Sequence, residues 1–325
     1  MKRRRLFTLL AIAGGWPSSP NAQESRRYRI GVLDTVSASQ NTANLNGLRR
    51  GLQKYGYVEG RNLSIEYRSA DGRPDLFPQL ARDLVNMGVD LIVTRGTPAA
   101  RAAKAATSTT PIVMAAIGEP LGVGVIEGLA RPGGNITGLS AFVTELAGKR
   151  VQLMKEAFPS IATVGFMLNM GNPVSPPQWA ATQAAARLSG LSTELFDVRS
   201  AQNIIDSFSV MSARKVDALS VGIDTVTQTD AALIVELCAK HRLPAAYPSR
   251  EFVDVGGLMS YGPSYSDLYF RAAIFIDKIF KGARPGDLPV EQPIKLELLI
   301  NMKTVKGSDL VIPASVLTRT DELVE

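Results

Sequence analysis

Short apolar runs rich in β-branched residues alternate, in the first half of the chain, with longer segments in which apolar residues recur at helical spacing. In the segment 44–55, for example, Leu45, Leu48 and Leu52 fall on one face of a helix. The pattern predicts strands at residues 28–33, 63–67, 89–94 and 112–116, and helices at residues 44–55, 76–87 and 99–106. Such alternation is typical of an α/β fold with a doubly wound parallel sheet.

The same pattern starts again near residue 164. It predicts strands at residues 164–168, 193–197 and 216–221, and helices at residues 178–188, 203–213 and 226–241. In each half a strand containing aspartate is followed by a helix and then by a strand that begins with proline, at Pro111 and at Pro244. The repetition predicts two Rossmann-like lobes with parallel sheets, because a chain of this length exceeds the usual size of one domain.

The last third of the chain contains too few elements for a core of its own. A strand at 257–262, a long helix at 265–281 and a strand at 294–300 are predicted there, and we expect them to pack onto the lobes already formed. We therefore predict one lobe from residues 28–138 with 263–290, and a second from residues 139–262 with 291–325. The lobe onto which the final segment packs is left open, and the chain must cross between lobes more than once.

The N-terminal segment has the pattern of an export signal. Four basic residues (Lys2 to Arg5) precede an apolar run at 6–13, and Ala22 is a suitable small residue at a cleavage site. The alternative is an amphipathic first helix of the fold. The export route, Sec or twin-arginine, stays open because Arg4 and Arg5 also fit a twin-arginine leader. The mature chain is expected to be a soluble periplasmic protein cleaved near Ala22.

Charge and composition exclude several classes of function. The chain has 36 Lys and Arg against 30 Asp and Glu, but the four leader residues leave only 32 against 30 after processing. No clustered basic face is evident, so nucleic acid is not an expected partner. The one cysteine, Cys238, cannot form an internal disulfide, and with His241 as the one histidine no zinc site can be assembled. No cofactor is expected.

Ligands of open parallel sheets bind beyond the carboxyl ends of the strands, so the residues that follow each strand are candidates. Thr97 and Pro98 follow the third strand and suit the N-cap and first position of a helix, whose free N–H groups attract an anion such as a carboxylate. The alternative is that Thr97 only caps its helix.

In the second half, Asp224 could pair with a ligand ammonium, or it could only cap the helix predicted at 226–241. Tyr247 and Tyr261 could supply flat apolar walls with a polar tip, or they could be ordinary half-buried packing residues. No Gly-x-Ser-x-Gly elbow and no Walker loop occurs in the sequence. A shared cleft without a catalytic set of residues favours binding over chemistry, and we predict that the chain is not an enzyme.

Seven stretches of sequence carry a resemblance to a known family. They are residues 47–52, 57–63, 96–100, 131–138, 247–252, 256–262 and 287–293. In this order they resemble the substrate-binding proteins of bacterial ABC importers, in the group related to tryptophan- and tyrosine-binding members. The sequence departs from the family at residues 305–310, Val-Lys-Gly-Ser-Asp-Leu in place of Ala-Lys-Ala-Leu-Gly-Leu, and at Thr225, where many members carry proline.

The resemblance implies a type I periplasmic-binding-protein architecture, with two lobes, three hinge crossings and ligand capture by hinge closure. Residues 135–140 look like the first crossing. The ligand-binding residues expected from the strand ends and the resemblance together are Ser37, Thr97, Pro98, Ala99, Glu119 and Pro120 in one lobe, and Asn169, Asn172, Asp224, Tyr247, Ser249 and Tyr261 facing them.

The expected function is that of the extracytoplasmic solute-binding component of an ABC importer, which captures an amino acid or a related small carboxylate. The expected partners are a small-molecule ligand and an inner-membrane ABC permease, and the expected state is a monomer. A ligand sensor coupled to a signalling partner is the main alternative. A transcription regulator of this fold would need an N-terminal helix-turn-helix, and the first predicted strand begins only a few residues after the leader.

Overall fold

The computed structural model of the protein describes residues 26–308 and 310–325, so the predicted export signal at residues 1–22 lies outside the described residues. The strands are β1 (Tyr28–Asp34), β2 (Leu63–Ser69), β3 (Leu91–Arg95), β4 (Ile112–Ile117), β5 (Ile136–Ser140), β6 (Thr163–Leu168), β7 (Ser192–Asp197), β8 (Ala218–Val221), β9 (Ala245–Tyr247), β10 (Met259–Pro263), β11 (Leu296–Asn301) and β12 (Glu322–Val324). They form two sheets, one in each lobe.

Helices cover both sheets. They are α1 (Thr42–Lys54), α2 (Phe77–Asn86), α3 (Thr97–Ala106), α4 (Val143–Ala157), α5 (Ser175–Leu188), α6 (Ala201–Ala213), α7 (Thr225–Thr229), α8 (Ala231–Lys240), α9 (Arg250–Asp254), α10 (Tyr265–Phe280), α11 (Met302–Lys306) and α12 (Ala314–Leu317). Short 3-10 turns occur at Pro74–Leu76 and Pro285–Asp287.

The first lobe contains a five-stranded parallel sheet in the order β2-β1-β3-β4-β5. The second lobe contains a seven-stranded sheet in the order β12-β11-β10-β9-β8-β6-β7, in which only β10 and β11 pair antiparallel. Strands β3, β4 and β5 are buried along their whole length, as expected for parallel strands covered by helices on both faces. The predicted α/β class with two parallel sheets is confirmed.

Two predicted elements differ from the structure. Residues 135–140, expected as the first crossing, contain β5, which pairs in parallel with β4, so the crossing lies after Ser140. The single helix expected at 226–241 is divided at Asp230, which ends α7 and precedes α8. Asp230 has a non-helical φ of −95° and ψ of 23°, and its side chain makes no capping hydrogen bond, so the break is a feature of the backbone.

Helix α10 follows β10 of the second lobe but packs against α1 and the sheet of the first lobe. Leu268, Tyr269 and Phe275 of this helix share a buried core cluster with Leu48 and Leu52 of α1. The chain then returns to the second lobe at β11, so it crosses three times: after β5, after β10 and before β11. The division of the chain into residue ranges for each lobe stays a prediction.

The contact between α1 and α10 depends on two glycines. A Cβ at Gly47 would lie 2.4 Å from the backbone oxygen of Ser266, and a Cβ at Gly51 would lie 2.4 Å from that of Phe270. Backbone oxygens of a helix cannot rotate away, so any side chain at these positions must push the helices apart.

Gly47→Val is therefore expected to lower the free energy of unfolding by about 3 kcal/mol, measured by urea denaturation. The control is Arg50→Val, because Arg50 lies exposed on the same helix and a valine there causes no overpacking, although it lowers helix propensity whereas valine in place of glycine raises it. Equal destabilisation by the two variants would contradict close packing of α10 on α1.

Candidate ligand-binding site

An inner cavity lies where the carboxyl ends of the strands of the two lobes face each other. It is small, with a volume of about 30 Å³ open to the centres of water-sized molecules. The first lobe contributes the polar residues Thr35, Arg95 and Thr97 to its wall, and the second lobe contributes Asn172, Asp224, Thr225 and Gln228. The apolar part of the wall is formed by Ala116, Ala141, Val143, Val174, Ile223 and Tyr265.

Four buried polar side chains of this wall have an atom without a hydrogen-bond partner. These atoms are the Thr97 hydroxyl, Nε of Arg95, the Thr225 hydroxyl and Nε2 of Gln228. Leaving a buried donor or acceptor unpaired costs about 1–3 kcal/mol. Such groups from both lobes, converging on one cavity, form a wall that a polar ligand can satisfy.

The start of α3 differs from the sequence prediction. Gly96, not Thr97, occupies the cap position, with a left-handed φ of 84°, and Thr97 is the first helical residue. Glycine adopts such a φ without steric cost, so the chain enters the helix one residue earlier than expected. The Thr97 hydroxyl is therefore not used for capping, and it lies at the positive end of the helix dipole, where an anion is stabilised.

Asp224 caps a helix, which is one of the two roles that the sequence left open. Its Oδ1 accepts a hydrogen bond from the backbone N–H of Val226 at 2.7 Å, which caps α7, and its Oδ2 accepts one from Nδ2 of Asn172 at 2.9 Å. The carboxyl group also lines the inner cavity. Burial raises the pKa of Asp224 to about 6, although these hydrogen bonds oppose the shift. A cationic group in the cavity would favour its charged form.

Arg95 joins the two lobes at the edge of the cavity. Its Nη2 donates hydrogen bonds of 2.7 and 2.8 Å to the two carboxylate oxygens of Glu251 in the second lobe, and Nη1 donates to Oδ1 of Asn41 at 3.0 Å. Burial alone would lower the pKa of Arg95, but the Glu251 and Asp34 carboxyls raise it, so Arg95 stays charged. Burial raises the pKa of the neighbouring Asp34.

Further hydrogen bonds close the lobes directly on each other. The Thr35 hydroxyl donates to Oε1 of Gln228 at 3.2 Å, and Nε2 of Gln40 donates to the backbone oxygen of Thr229 at 3.1 Å. Nδ2 of Asn44 donates to Oε1 of Glu251 at 2.9 Å. The structure is therefore a closed arrangement of the two lobes.

An outer chamber of about 400 Å³ adjoins the inner cavity. Both share Pro98, Asn172 and Asp224 in their walls. The chamber is lined largely by apolar rings from the first lobe, including Phe77 and Pro78, with Pro173 opposite.

The structure brings five of the expected site residues to these two cavities. Thr97, Pro98, Asn172 and Asp224 line the inner cavity, and Asn169 lines the outer chamber. Ser249 lies at the same cleft and donates a hydrogen bond of 2.8 Å to Glu251.

The other expected residues lie away from the cavity walls. Ser37 bonds within its own loop to Gln40, Ala99 is in the core of the first lobe, and Pro120 accepts backbone hydrogen bonds from the turn that follows it. Glu119 is half-buried, which raises its pKa. Tyr247 stacks on Phe252 in the core with ring centroids 5.0 Å apart, and Tyr261 packs against the core of the second lobe. The aromatic wall of the cavity is instead provided by Tyr265.

The ligand-binding residues predicted from the sequence do not include Arg95, Thr225, Gln228 and Glu251. Arg95 had a usable signal, because it is the one charged residue at the end of an otherwise apolar strand. Gln228 lies one helical turn beyond Asp224, so it was within reach of the same argument. Glu251 had no such signal, since its partner comes from the opposite lobe and only the tertiary structure brings them together.

Within residues 26–308 and 310–325, no group of three or more His, Cys, Asp or Glu side chains is arranged to hold a metal ion. In the same part of the chain, no helix has the length and apolar character required to cross a membrane.

Comparison with known proteins places this geometry in context. A protein of Clostridioides difficile (strain R20291), named a tyrosine-binding protein, is 25% identical over 285 residues, which cover 88% of this chain and 82% of the relative. A Streptococcus pneumoniae structure described as an ABC domain in complex with L-Trp is 31% identical with a TM-score of 0.84, and the match covers 92% of this chain and 100% of that chain.

A conserved domain protein of Vibrio cholerae is 27% identical with a TM-score of 0.85, and the match covers 91% of this chain and 99% of that chain. A sequence profile for ABC transporter substrate binding proteins matches residues 29–324. This chain belongs to the family of ABC transporter substrate-binding proteins.

Proposed function

We propose that this protein is the extracytoplasmic solute-binding component of an ABC importer and that it captures an amino acid or a related small carboxylate between its lobes. The observation that carries the proposal is a set of four buried polar side chains, two from each lobe, that line one cavity and each have an atom without a hydrogen-bond partner. A solute that satisfies groups on both sides favours the closed form, because only that form makes both sets of contacts.

The polarity of the cavity agrees with a zwitterionic ligand. A ligand carboxylate would bind at the Thr97 hydroxyl and the start of α3, where the helix dipole is positive. A ligand ammonium would bind at the Asp224 carboxylate in the facing lobe. The side chain of the ligand would then pack against Val143, Ile223 and Tyr265.

The remaining parts of the proposal concern partners and location. A monomer in the closed form would be recognised by an inner-membrane ABC permease, which takes up the solute as the lobes open. The protein would reach the periplasm through its N-terminal leader, which would be cleaved near Ala22. The ligands named for two relatives, tyrosine and L-Trp, favour an amino acid as the solute.

A thermal-shift panel of L-amino acids and small organic acids tests the proposal. We expect at least one L-amino acid to raise Tm by several degrees at a concentration a hundred-fold above its Kd, since binding then stabilises the native state by about 2.7 kcal/mol. The N-acetyl and amide derivatives of that amino acid serve as controls, because each removes one of the two charges.

Absence of stabilisation by every solute of the panel would contradict the proposal. Mass spectrometry of the recovered ligand adds a second criterion, since a binding protein must return its ligand with unchanged mass.

A further inference from the structure

The guanidinium of Arg95 makes hydrogen bonds through both Nη groups but none through Nε. The Nη2 donors are taken by both carboxylate oxygens of Glu251, and Nη1 donates to Asn41. Nε has no partner, although the Arg95 side chain is only 1% exposed and lines the inner cavity. Because the guanidinium is planar, holding its Nη edge fixes the direction in which Nε–H points.

The carboxylate that holds this edge comes from the other lobe. Arg95 ends β3 in the first lobe, whereas Glu251 lies in α9 of the second lobe. Glu251 is itself held in place by a hydrogen bond of 2.8 Å from the Ser249 hydroxyl and one of 2.9 Å from Nδ2 of Asn44. Within the described residues the other carboxyl near Arg95 is Asp34, 4.0 Å away and in the same lobe as Arg95.

We propose that Glu251 is a positioning residue that reaches Arg95 only when the lobes close and thereby directs Nε–H of Arg95 at an acceptor atom of the ligand. The inference rests on the proposed function and adds to it that the anionic end of the solute is bound by Arg95 Nε together with the Thr97 hydroxyl. Both groups are buried, unpaired and in the wall of the same cavity. The Arg95 guanidinium then takes part both in the closure of the lobes and in the binding of the ligand carboxylate.

The same ion pair favours closure without a ligand. A charge-assisted pair between a buried guanidinium and a carboxylate is stronger than a neutral hydrogen bond, and separating the lobes leaves Arg95 without its nearest counter-charge. Glu251 therefore shifts the equilibrium between the open and closed forms before any solute enters.

The test compares Glu251→Gln with Glu322→Gln in the full mature chain. Glu322 accepts two hydrogen bonds of 2.6 and 2.7 Å from Arg250, but that pair is exposed and lies within the second lobe. Glu322→Gln is therefore the control, because it removes a bidentate arginine–carboxylate pair that does not cross the cleft. Small-angle scattering without ligand reports closure, and calorimetry with L-tyrosine and L-tryptophan as probes reports binding.

For Glu251→Gln we expect a larger radius of gyration without ligand and an affinity reduced at least ten-fold, chiefly through faster dissociation, whereas Glu322→Gln matches the wild type. A radius of gyration equal to that of the wild type overturns the proposal, and so does tighter binding by Glu251→Gln, which would mean that Glu251 competes with the ligand. If the wild type binds neither an amino acid nor a small organic acid, the proposed function fails, while the scattering comparison still decides whether Glu251 closes the lobes.

Should Glu251→Gln be poorly folded, Asn44→Ala gives the same readout, because it removes the cross-cleft hydrogen bond through which Asn44 holds Glu251 against Arg95. We then expect a smaller change in the same direction, and an unchanged radius of gyration overturns the proposal.

Discussion

Replacing Gly118 by valine is expected to reduce ligand affinity about 100-fold or more while the two lobes stay folded. Gly118 follows β4 in the wall of the inner cavity, and a Cβ there would lie 3.0 Å from Cγ2 of Val143, 3.0 Å from Cγ1 of Val174 and 3.3 Å from Oγ1 of Thr97. Val174 belongs to the facing lobe, so a branched side chain acts as a wedge between the lobes and fills the space of the ligand. Opening of the cleft relieves the clash, but an open cleft cannot hold a solute from both sides.

The control for this wedge is Gly122→Val in the same connection. A Cβ at Gly122 would have Glu119 Cβ as its nearest neighbour at 3.9 Å, and the residue is exposed. Calorimetry should give wild-type affinity for Gly122→Val, and scattering should give a larger radius of gyration for Gly118→Val alone. Wild-type affinity in Gly118→Val would mean that the solute binds elsewhere.

Much of the fold follows from local sequence pattern. The strands β1 to β4 and β6 to β8 lie within a few residues of their predicted positions, because continuous apolar runs between helical segments have one stable arrangement, a buried parallel sheet. The family resemblance and the prediction of a binding protein in place of an enzyme are confirmed by the family match. Helix α4 was missed, since its buried face includes Arg150, a residue that is usually exposed.

The candidate site could be predicted only in part. The rule that ligands bind beyond the carboxyl ends of the strands identifies loops, but it does not tell which of their side chains meet in one cavity. Thr97 and Asp224 were predicted because they begin helices at strand ends, where the local sequence is informative, and both line the inner cavity. Tyr247 and Tyr261 were expected at the cavity, but their rings pack into the core. Tyr265, the first residue of α10, lines the cavity instead. The pairing of Arg95 with Glu251 joins residues 156 positions apart, which no local pattern encodes.

Replacing Asp224 by asparagine is expected to reduce affinity for a zwitterionic amino acid about 100-fold while α7 stays capped, although the hydrogen bond from Asn172 is lost. Asparagine is as good an N-cap as aspartate, so α7 keeps its start. The variant loses the negative charge that faces a ligand ammonium, and truncation of a buried charge pair commonly costs 2–5 kcal/mol of binding free energy. Asp230→Asn is the matched control, because Asp230 precedes α8 in the same lobe and does not line the cavity.

The raised pKa of Asp224 gives this prediction a second, pH-dependent signature. Because burial raises the pKa from 3.8 to about 6, the unliganded folded protein binds a proton between these values that the unfolded chain does not. The contribution of this group to the free energy of unfolding therefore rises by up to about 3 kcal/mol as the pH falls from above 6 to below 4.

Ligand affinity has the opposite pH dependence, since only the carboxylate pairs with an ammonium. As the pH drops below about 6, the affinity should decrease by a factor that approaches ten for each pH unit. Calorimetry and urea denaturation across this pH range should show both trends in the wild type and in Asp230→Asn. Asp224→Asn should lack the part of each trend that comes from residue 224. A wild-type affinity that does not change with pH would mean that Asp224 caps α7 and does not bind the solute.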